Sequence, residues 1–277
     1  LVEKRSPEQI GQYYDKMAPF FETIWGDSVH FGYWPDPSDQ SFTMIQAQKA
    51  FTSLTAEYMR LQPGQRGLDV GCGTGRPSIQ IAETTGAYMT GITVSAEQVR
   101  LARENAQKSS CPERLTFELI NAMDMPFEDN SFDAAMAIEC IFHMPSRLRV
   151  FQEMARVIRP GGRIVIPDSA LLRPMTDDEI DALYPTFEIN EIATWQDHII
   201  ELQEAGLKII TCHDVSINTL RPSNTASLNS LQDPDVRKKL GEVYGEDQVV
   251  EFYEGWKRVK EASETLAYII FVAEKPA

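Results

Sequence analysis

Leu68-Asp69-Val70-Gly71-Cys72-Gly73-Thr74-Gly75 is the stretch on which the fold turns. It lies where a short apolar run, about 66 to 71, gives way to a helical stretch at about 75 to 85. Glycines at such a junction let the backbone take positive φ and approach a ligand closely. A dinucleotide fingerprint spaces them G-x-G-x-x-G and opens a pyrophosphate site. Here the third glycine follows the second after one residue, and an Asp precedes the first by two.

Outward from this turn, apolar runs at about 88 to 94, 115 to 120, 132 to 138 and 162 to 167 alternate with helical stretches at 96 to 108 and 147 to 158. That alternation predicts βαβ units around a parallel sheet, doubly wound once the crossovers are right-handed. Asp168 to Asn190 is acidic and interrupted by Pro174 and Pro185, which reads as a lid or insertion. A helix from Thr194 to Ala205, stopped by Gly206, leads to a sixth strand near Leu207 to Ser216. A long helical insertion precedes a seventh strand at Leu266 to Ala273. Upstream, Ser6-Pro7-Glu8-Gln9 is a helix start with a capping-box Gln. A second amphipathic helix spans about Phe42 to Leu61, with Phe51, Leu54, Tyr58 and Leu61 at helical spacing. The expected fold is a Rossmann-like α/β, doubly wound, seven-stranded sheet. Residues 1–63 form an N-terminal helical lid, and 64–277 form the core with lid insertions near 168–193 and 217–264.

The 277 residues suit one large domain or two small ones, and 43% hydrophobic with 24% charged residues is ordinary globular composition. Acidic side chains exceed basic ones by 41 to 26, a charge of −15. That excess opposes binding to nucleic acid or an anionic membrane, which relies on Lys and Arg. Cys72, Cys111, Cys140 and Cys212 lack zinc or redox spacing and read as free thiols in a reducing, cytoplasmic setting. No run of 18 apolar residues occurs, and LVEKRSPEQ lacks a signal-peptide core. No metal is expected, since no His, Cys or carboxylate cluster has ligand spacing.

The D-x-G-x-G-x-G turn resembles motif I of class I S-adenosylmethionine (SAM) methyltransferases. Gly91-Ile92-Thr93-Val94-Ser95 with Gln98, Asn121-Ala122-Met123-Asp124-Met125-Pro126-Phe127 and Arg159-Pro160-Gly161-Gly162 resemble its later segments in the right order. Ile24 to Trp34 resembles the natural-product branch, sugar O-methyltransferases included. The resemblance implies SAM as cofactor, with S-adenosylhomocysteine as product and a small-molecule partner. It implies Asp69, Gly71, Gly73 and Gly75 near the methionine moiety and Thr93 and Gln98 near the ribose. Asn121, Ala122 and Met123 are implied near the adenine, with Glu139 and Tyr14 completing the set. Thr93 stands where many relatives have a ribose-binding carboxylate; the Gln98 amide can both accept and donate in its place. Asn121 replaces the usual Asp, and its carbonyl can accept from the adenine amine. The first helix is implied to close over the cofactor, with Tyr14 nearest, and homo-oligomers can form through it.

A neutral alcohol acceptor must lose a proton, so a base is sought at the sheet edge. His143, just after strand four, suits by its ordinary pKa, with Asp168 beyond strand five to orient it. The sugar O-methyltransferases carry two consecutive histidines where this chain has Phe142-His143. Tyr14, Trp25, His30, Tyr33, Trp34, Phe142 and Phe187 are the candidate substrate residues; His198 and His213 read as structural. Three functions follow: O-methylation of a largely apolar secondary metabolite, which is favoured; C-methylation of a prenyl or alkene carbon through a carbocation, with cyclisation; or a SAM-fold binding protein without catalysis.

Overall fold

β1 (Arg66–Val70) is buried from Gly67 onward and has parallel neighbours on both sides, β2 (Tyr88–Thr93) and β4 (Phe132–Met136). This is the centre of the sheet in the computed structural model, which describes residues 4–26, 28–39 and 41–277. Leu1 to Glu3, Asp27 and Gln40, which fall within the segments read above, lie outside the described residues.

β3 (Leu115–Leu119) flanks β2, and β5 (Ile158–Leu171) flanks β4. The full order is β3-β2-β1-β4-β5-β7-β6, with β7 (Leu266–Glu274) inserted antiparallel between β5 and β6 (Lys208–Asp214). The seven strands are therefore present as expected, and the sheet is mixed. Strand order reverses between β1 and β4, so the crevice beyond their C-terminal ends is where a doubly wound sheet binds ligands.

β5 runs further than its apolar core of 162 to 167. Phe132 pairs with Ile158 and Ala134 with Arg163, so Arg159 to Gly162 bulge without leaving the strand. At the other end β7 pairs as far as Leu171, which makes Asp168 to Leu171 strand and not the start of an insertion. The insertion proper holds α6 (Asp177–Phe187), capped by Thr176 and Glu179. Pro185 does not break it: Asp181, whose carbonyl loses its helical donor, is exposed to water.

α3 (Arg76–Thr85), α4 (Ala96–Gln107), α5 (Arg147–Val157) and α7 (Trp195–Glu204) match their periodic stretches. α1 (Pro7–Trp25) opens with the Ser6/Gln9 capping box, and α2 (Met44–Met59) with a Thr43/Gln46 box. The long insertion before β7 is α8 (Ser216–Gln232), α9 (Pro234–Tyr244) and α10 (Glu246–Ala262).

The first 63 residues do not form one layer. α2 lies on the sheet, where the buried Phe51 ring meets Tyr268 at 5.5 Å, edge to face. α1 joins the inserted helices instead: Phe20, Phe21, Ile24 and Trp25 are buried with Leu231, Leu240, Val249 and Trp256. At its other half α1 presses on the turn after β2, where a Cβ on Gly11 would lie 2.4 Å from the Val94 carbonyl oxygen. Among the described residues no helix is long and apolar enough to cross a membrane, and no cluster of His, Cys, Asp or Glu could hold a metal ion.

Candidate active site

Two cavities open at the C-terminal edge of the sheet and share a wall. The first, about 680 Å³, is lined by Gly71 and Gly73 from the β1–α3 turn, Thr93 and Gln98 after β2, and Asn121 and Ala122 after β3. Glu139 and His143 after β4, with Tyr14 from α1, complete it. The glycines differ in what they do. A Cβ on Gly71 would strike Cys140, and one on Gly75 would strike the Phe117 ring, so both are required by packing. Gly73, at φ +53, would place a Cβ with no atom within 4 Å. Its bare backbone therefore borders open space, as a cradle for a ligand must.

Three residues expected at the cofactor lie behind this wall. Asp69 is buried beneath the turn and accepts from the Ser78 hydroxyl at 2.7 Å, which ties the turn to α3; burial pushes its carboxyl up to about 7. Gly75 caps α3. Met123 packs against the apolar core, and its N–H donates to Asn121 Oδ1 at 3.0 Å. That bond takes one of the two lone pairs on the oxygen expected to meet an adenine amine. The Gln98 oxygen likewise already accepts from the Thr93 hydroxyl at 2.7 Å, which leaves one lone pair and the amide nitrogen for a ribose.

The second cavity, about 650 Å³, is lined chiefly by rings and aliphatic side chains: Phe21 and Trp25 from α1, Phe31, Phe142, Phe187 from α6, and residues of α8 and α10. Of the candidate substrate residues, Trp25, Phe142 and Phe187 are among those that line it. His30, Tyr33 and Trp34 are not. The His30 ring faces Phe51 and its Nδ1 donates to the Phe31 carbonyl, while burial lowers its pKa to about 4. Trp34 donates to the Phe42 carbonyl, and its backbone is tied to Asn218. Tyr33 is held to α2, its N–H donating to the Ala47 carbonyl at 2.9 Å. The segment lies that close to α2 because Gly32 has no Cβ, which would sit 2.4 Å from Ala47.

Tyr14, Val29 and Glu139 line both cavities. Glu139 has a positive φ of 48°, an uncommon conformation for a residue with a side chain. Its Oε1 accepts from the Phe31 N–H at 2.8 Å and from the Tyr268 hydroxyl at 2.6 Å. Burial pushes its carboxyl up to about 7, against the pull of those two bonds. His143 is engaged on both ring nitrogens. Nδ1 lies 3.1 Å from the Glu188 carbonyl, which can only accept, so Nδ1 carries the proton and Nε2 accepts from the Tyr14 hydroxyl at 2.7 Å. Burial lowers its pKa to about 3 and raises that of Tyr14.

Asp168 does not orient this imidazole. Because β5 continues past it, its two oxygens accept from the Ile141 and Ser169 amides, at 3.1 and 2.7 Å. It holds the turn that carries His143 rather than the ring itself. The sequence offered no local signal for Val29 or Phe21 as walls, nor for any residue of α8 or α10, and Phe31 stood only as a member of the aromatic run His30 to Trp34; the chain's path brings them together.

The methyltransferase-domain family profile matches residues 68–166, from β1 into β5. The (+)-O-methylkolavelool synthase of Herpetosiphon aurantiacus is 34% identical to this chain, over 98% of this chain and 94% of its own length. The 27-O-demethylrifamycin SV methyltransferase of Amycolatopsis mediterranei is also 34% identical, over 99% of this chain and 100% of its own. Among solved structures, that of the cyclase SpnF matches with a TM-score of 0.86 and 30% identity, covering 99% of this chain and 97% of that one. The chain belongs to the class I SAM-dependent methyltransferases of the natural-product type, and it is an enzyme that draws its methyl group from SAM.

Proposed function

We propose that this enzyme O-methylates a hydroxyl on a largely apolar secondary metabolite, and that the proton of that hydroxyl passes to Glu139. The observation that carries the proposal is the wall of Tyr14, Val29 and Glu139 common to the two cavities. It is where a donor held at the glycine turn and an acceptor held among the rings would meet. The named relatives include O-methyltransferases, which supports oxygen as the acceptor atom.

When bound, SAM supplies an activated methyl group and leaves as S-adenosylhomocysteine. On the protein side, the Gly71 and Gly73 backbone admits the methionine moiety, the Gln98 amide nitrogen donates to the ribose, and Asn121 and Ala122 flank the adenine. Asp69, Gly75 and Met123 act from behind by fixing the turns. Glu139 fits a general base because one of its oxygens, Oε2, accepts no hydrogen bond among the described residues, and because a base works best with a pKa near the working pH. The groups facing it are Tyr268, Tyr14, Cys140 and Asp168, none a cation. His143 stays neutral far below pH 7 and serves as a positioning residue: it holds Tyr14, and through Tyr14 it holds α1 across the site as a lid.

Carbon methylation is the second reading. The rings of Trp25, Phe31, Phe142 and Phe187 surround the second cavity and would stabilise a substrate carbocation through their quadrupoles. A relative 30% identical is named a cyclase. Glu139 Oε2 would then take the proton that the carbocation loses.

Glu139→Gln tests the base, since the amide oxygen can still accept from Phe31 and Tyr268. Assayed with labelled SAM and a metabolite extract, turnover should fall by ~10² to 10⁴-fold, with SAM affinity by calorimetry nearly unchanged. Wild-type turnover should rise with pH through about 7, as the carboxyl ionises, and the variant should lack that limb. A loss under about tenfold with the limb retained would reject Glu139 as the base. The site of the label in the product, read by NMR, separates oxygen from carbon.

A further inference from the structure

The second cavity is not uniformly apolar. Asn224, on the wall formed by α8 and α10, lines it and is completely buried. That wall takes no part in the donor cavity. The orientation of its amide follows from its neighbours. The Ser263 hydroxyl donates to the Lys260 carbonyl at 2.8 Å, so toward Asn224 it can only accept, and the Asn224 Nδ2 donates to it at 3.0 Å. The amide is thereby held with its nitrogen committed, and its Oδ1 is left buried with no hydrogen-bond partner among the described residues. An acceptor that is desolvated and unpaired is unfavourable unless something supplies a donor. Leu220, Val259 and Leu266, which line the same cavity, carry no donor.

We infer that Asn224 Oδ1 is a recognition point for a neutral O–H or N–H on the otherwise apolar acceptor, at a position distinct from the atom that is methylated. This rests on the reading of the second cavity as the acceptor site. It names the substrate class more narrowly: an apolar skeleton with a second, uncharged donor. Charged groups are excluded from the subsite, because no ionisable side chain lines the α8 and α10 part of the wall. A site built around a buried acceptor discriminates strongly against analogues that lack the donor, since its own polar atom is then left unpaired.

The probes are 4-octylphenol and its methyl ether, which differ in the donor. Each is measured by equilibrium dialysis against the full chain saturated with S-adenosylhomocysteine. Wild type should prefer the phenol by about tenfold, the size of one neutral hydrogen bond. Asn224→Leu should reduce that preference to about twofold or less, while S-adenosylhomocysteine affinity by calorimetry stays the same and vouches for the fold. Ser263→Ala, which frees the amide to turn, should fall between the two. A preference that survives both substitutions places the donor elsewhere and overturns the inference. If neither probe binds wild type although S-adenosylhomocysteine does, the acceptor reading fails and this inference with it. If S-adenosylhomocysteine binds and only the preference is unaffected, the acceptor reading stands and Asn224 alone is rejected.

Discussion

The two cavities are built from different materials. The first, the donor side of the proposed reading, is formed largely by the ends of β1, β2, β3 and β4, where turns between strand and helix bring backbone and short side chains to one edge. The second, the acceptor side of that reading, takes rings and aliphatic side chains from α1, α6, α8, α10 and the turn after β4. A wall of sheet ends is held by parallel hydrogen-bonded strands, so its shape depends little on any single side chain. A wall of packed rings is only as firm as the packing among them. The donor pocket can therefore stay constant while the acceptor pocket is recast by substitutions, which suits one fold to many small-molecule acceptors.

Trp25→Ala should break the acceptor side most severely. The ring is buried against Phe21 and Trp256, and its Nε1–H donates to Ser227 at 2.8 Å. Its loss should cost ~3–5 kcal/mol in denaturant unfolding. S-adenosylhomocysteine affinity in the folded fraction should be retained, and its loss in parallel would show the two regions to be one. Gly73→Val is the counterpart on the donor side. A β-branched residue at φ +53 is strained, and its side chain enters the open space. SAM affinity by calorimetry should drop at least ~10²-fold, with binding of 4-octylphenol altered less than about twofold. Unchanged SAM affinity would remove the donor assignment.

His143→Ala tests the shared wall. It should raise KM for SAM about tenfold by releasing Tyr14, the worth of one hydrogen bond. The activity profile above pH 5 should keep its shape, because an imidazole lowered to about 3 does not titrate there. Loss of a limb near neutral pH in this variant would return the role of base to His143. The smallest effect is expected beneath the donor floor. Asp69 has a folded pKa of about 7, above its unfolded value, so its contribution to stability is present in acid and lost as pH rises through 7. Asp69→Asn escapes that loss. Its melting temperature relative to wild type should climb by about 2–4 °C between pH 5 and 8, and a flat difference would mean Asp69 is not ionising in place.

The lining of the first cavity, the donor side of the proposed reading, is legible in the sequence because each of its parts is contiguous. Leu68 to Gly75, Thr93 to Gln98 and Asn121 to Ala122 are each short segments at a strand end, and their order alone places them on one edge. The lining of the second cavity is assembled from residues as far apart in the sequence as Tyr14 and Leu266. Periodicity finds a buried face but not which element covers it. That is why the aromatic run from His30 to Trp34 misleads: Gly32 lets it sink onto α2, and the rings of His30, Tyr33 and Trp34 go into packing. Asp168 misleads for another reason. Its place beyond the apolar core of β5 suggests a free loop, whereas pairing with β7 extends the strand through it. The number of strands is legible from the sequence, but the antiparallel entry of β7 is not, since an apolar run has no direction.

Tyr14 belongs to the boundary of both cavities, and it rides on a helix anchored by Tyr13 to the Thr186 carbonyl and by Asp15 to Ser95. On the proposed reading, a displacement of α1 that frees Tyr14 would open both cavities together, since Tyr14 lines each. Whichever ligand first fixes the helix lowers the entropy that the other must remove, and thermodynamic reciprocity makes the two enhancements equal. On the proposed reading, donor and acceptor affinities would thus be linked by a single factor. Departure of one product would then loosen the hold on its companion by the same amount.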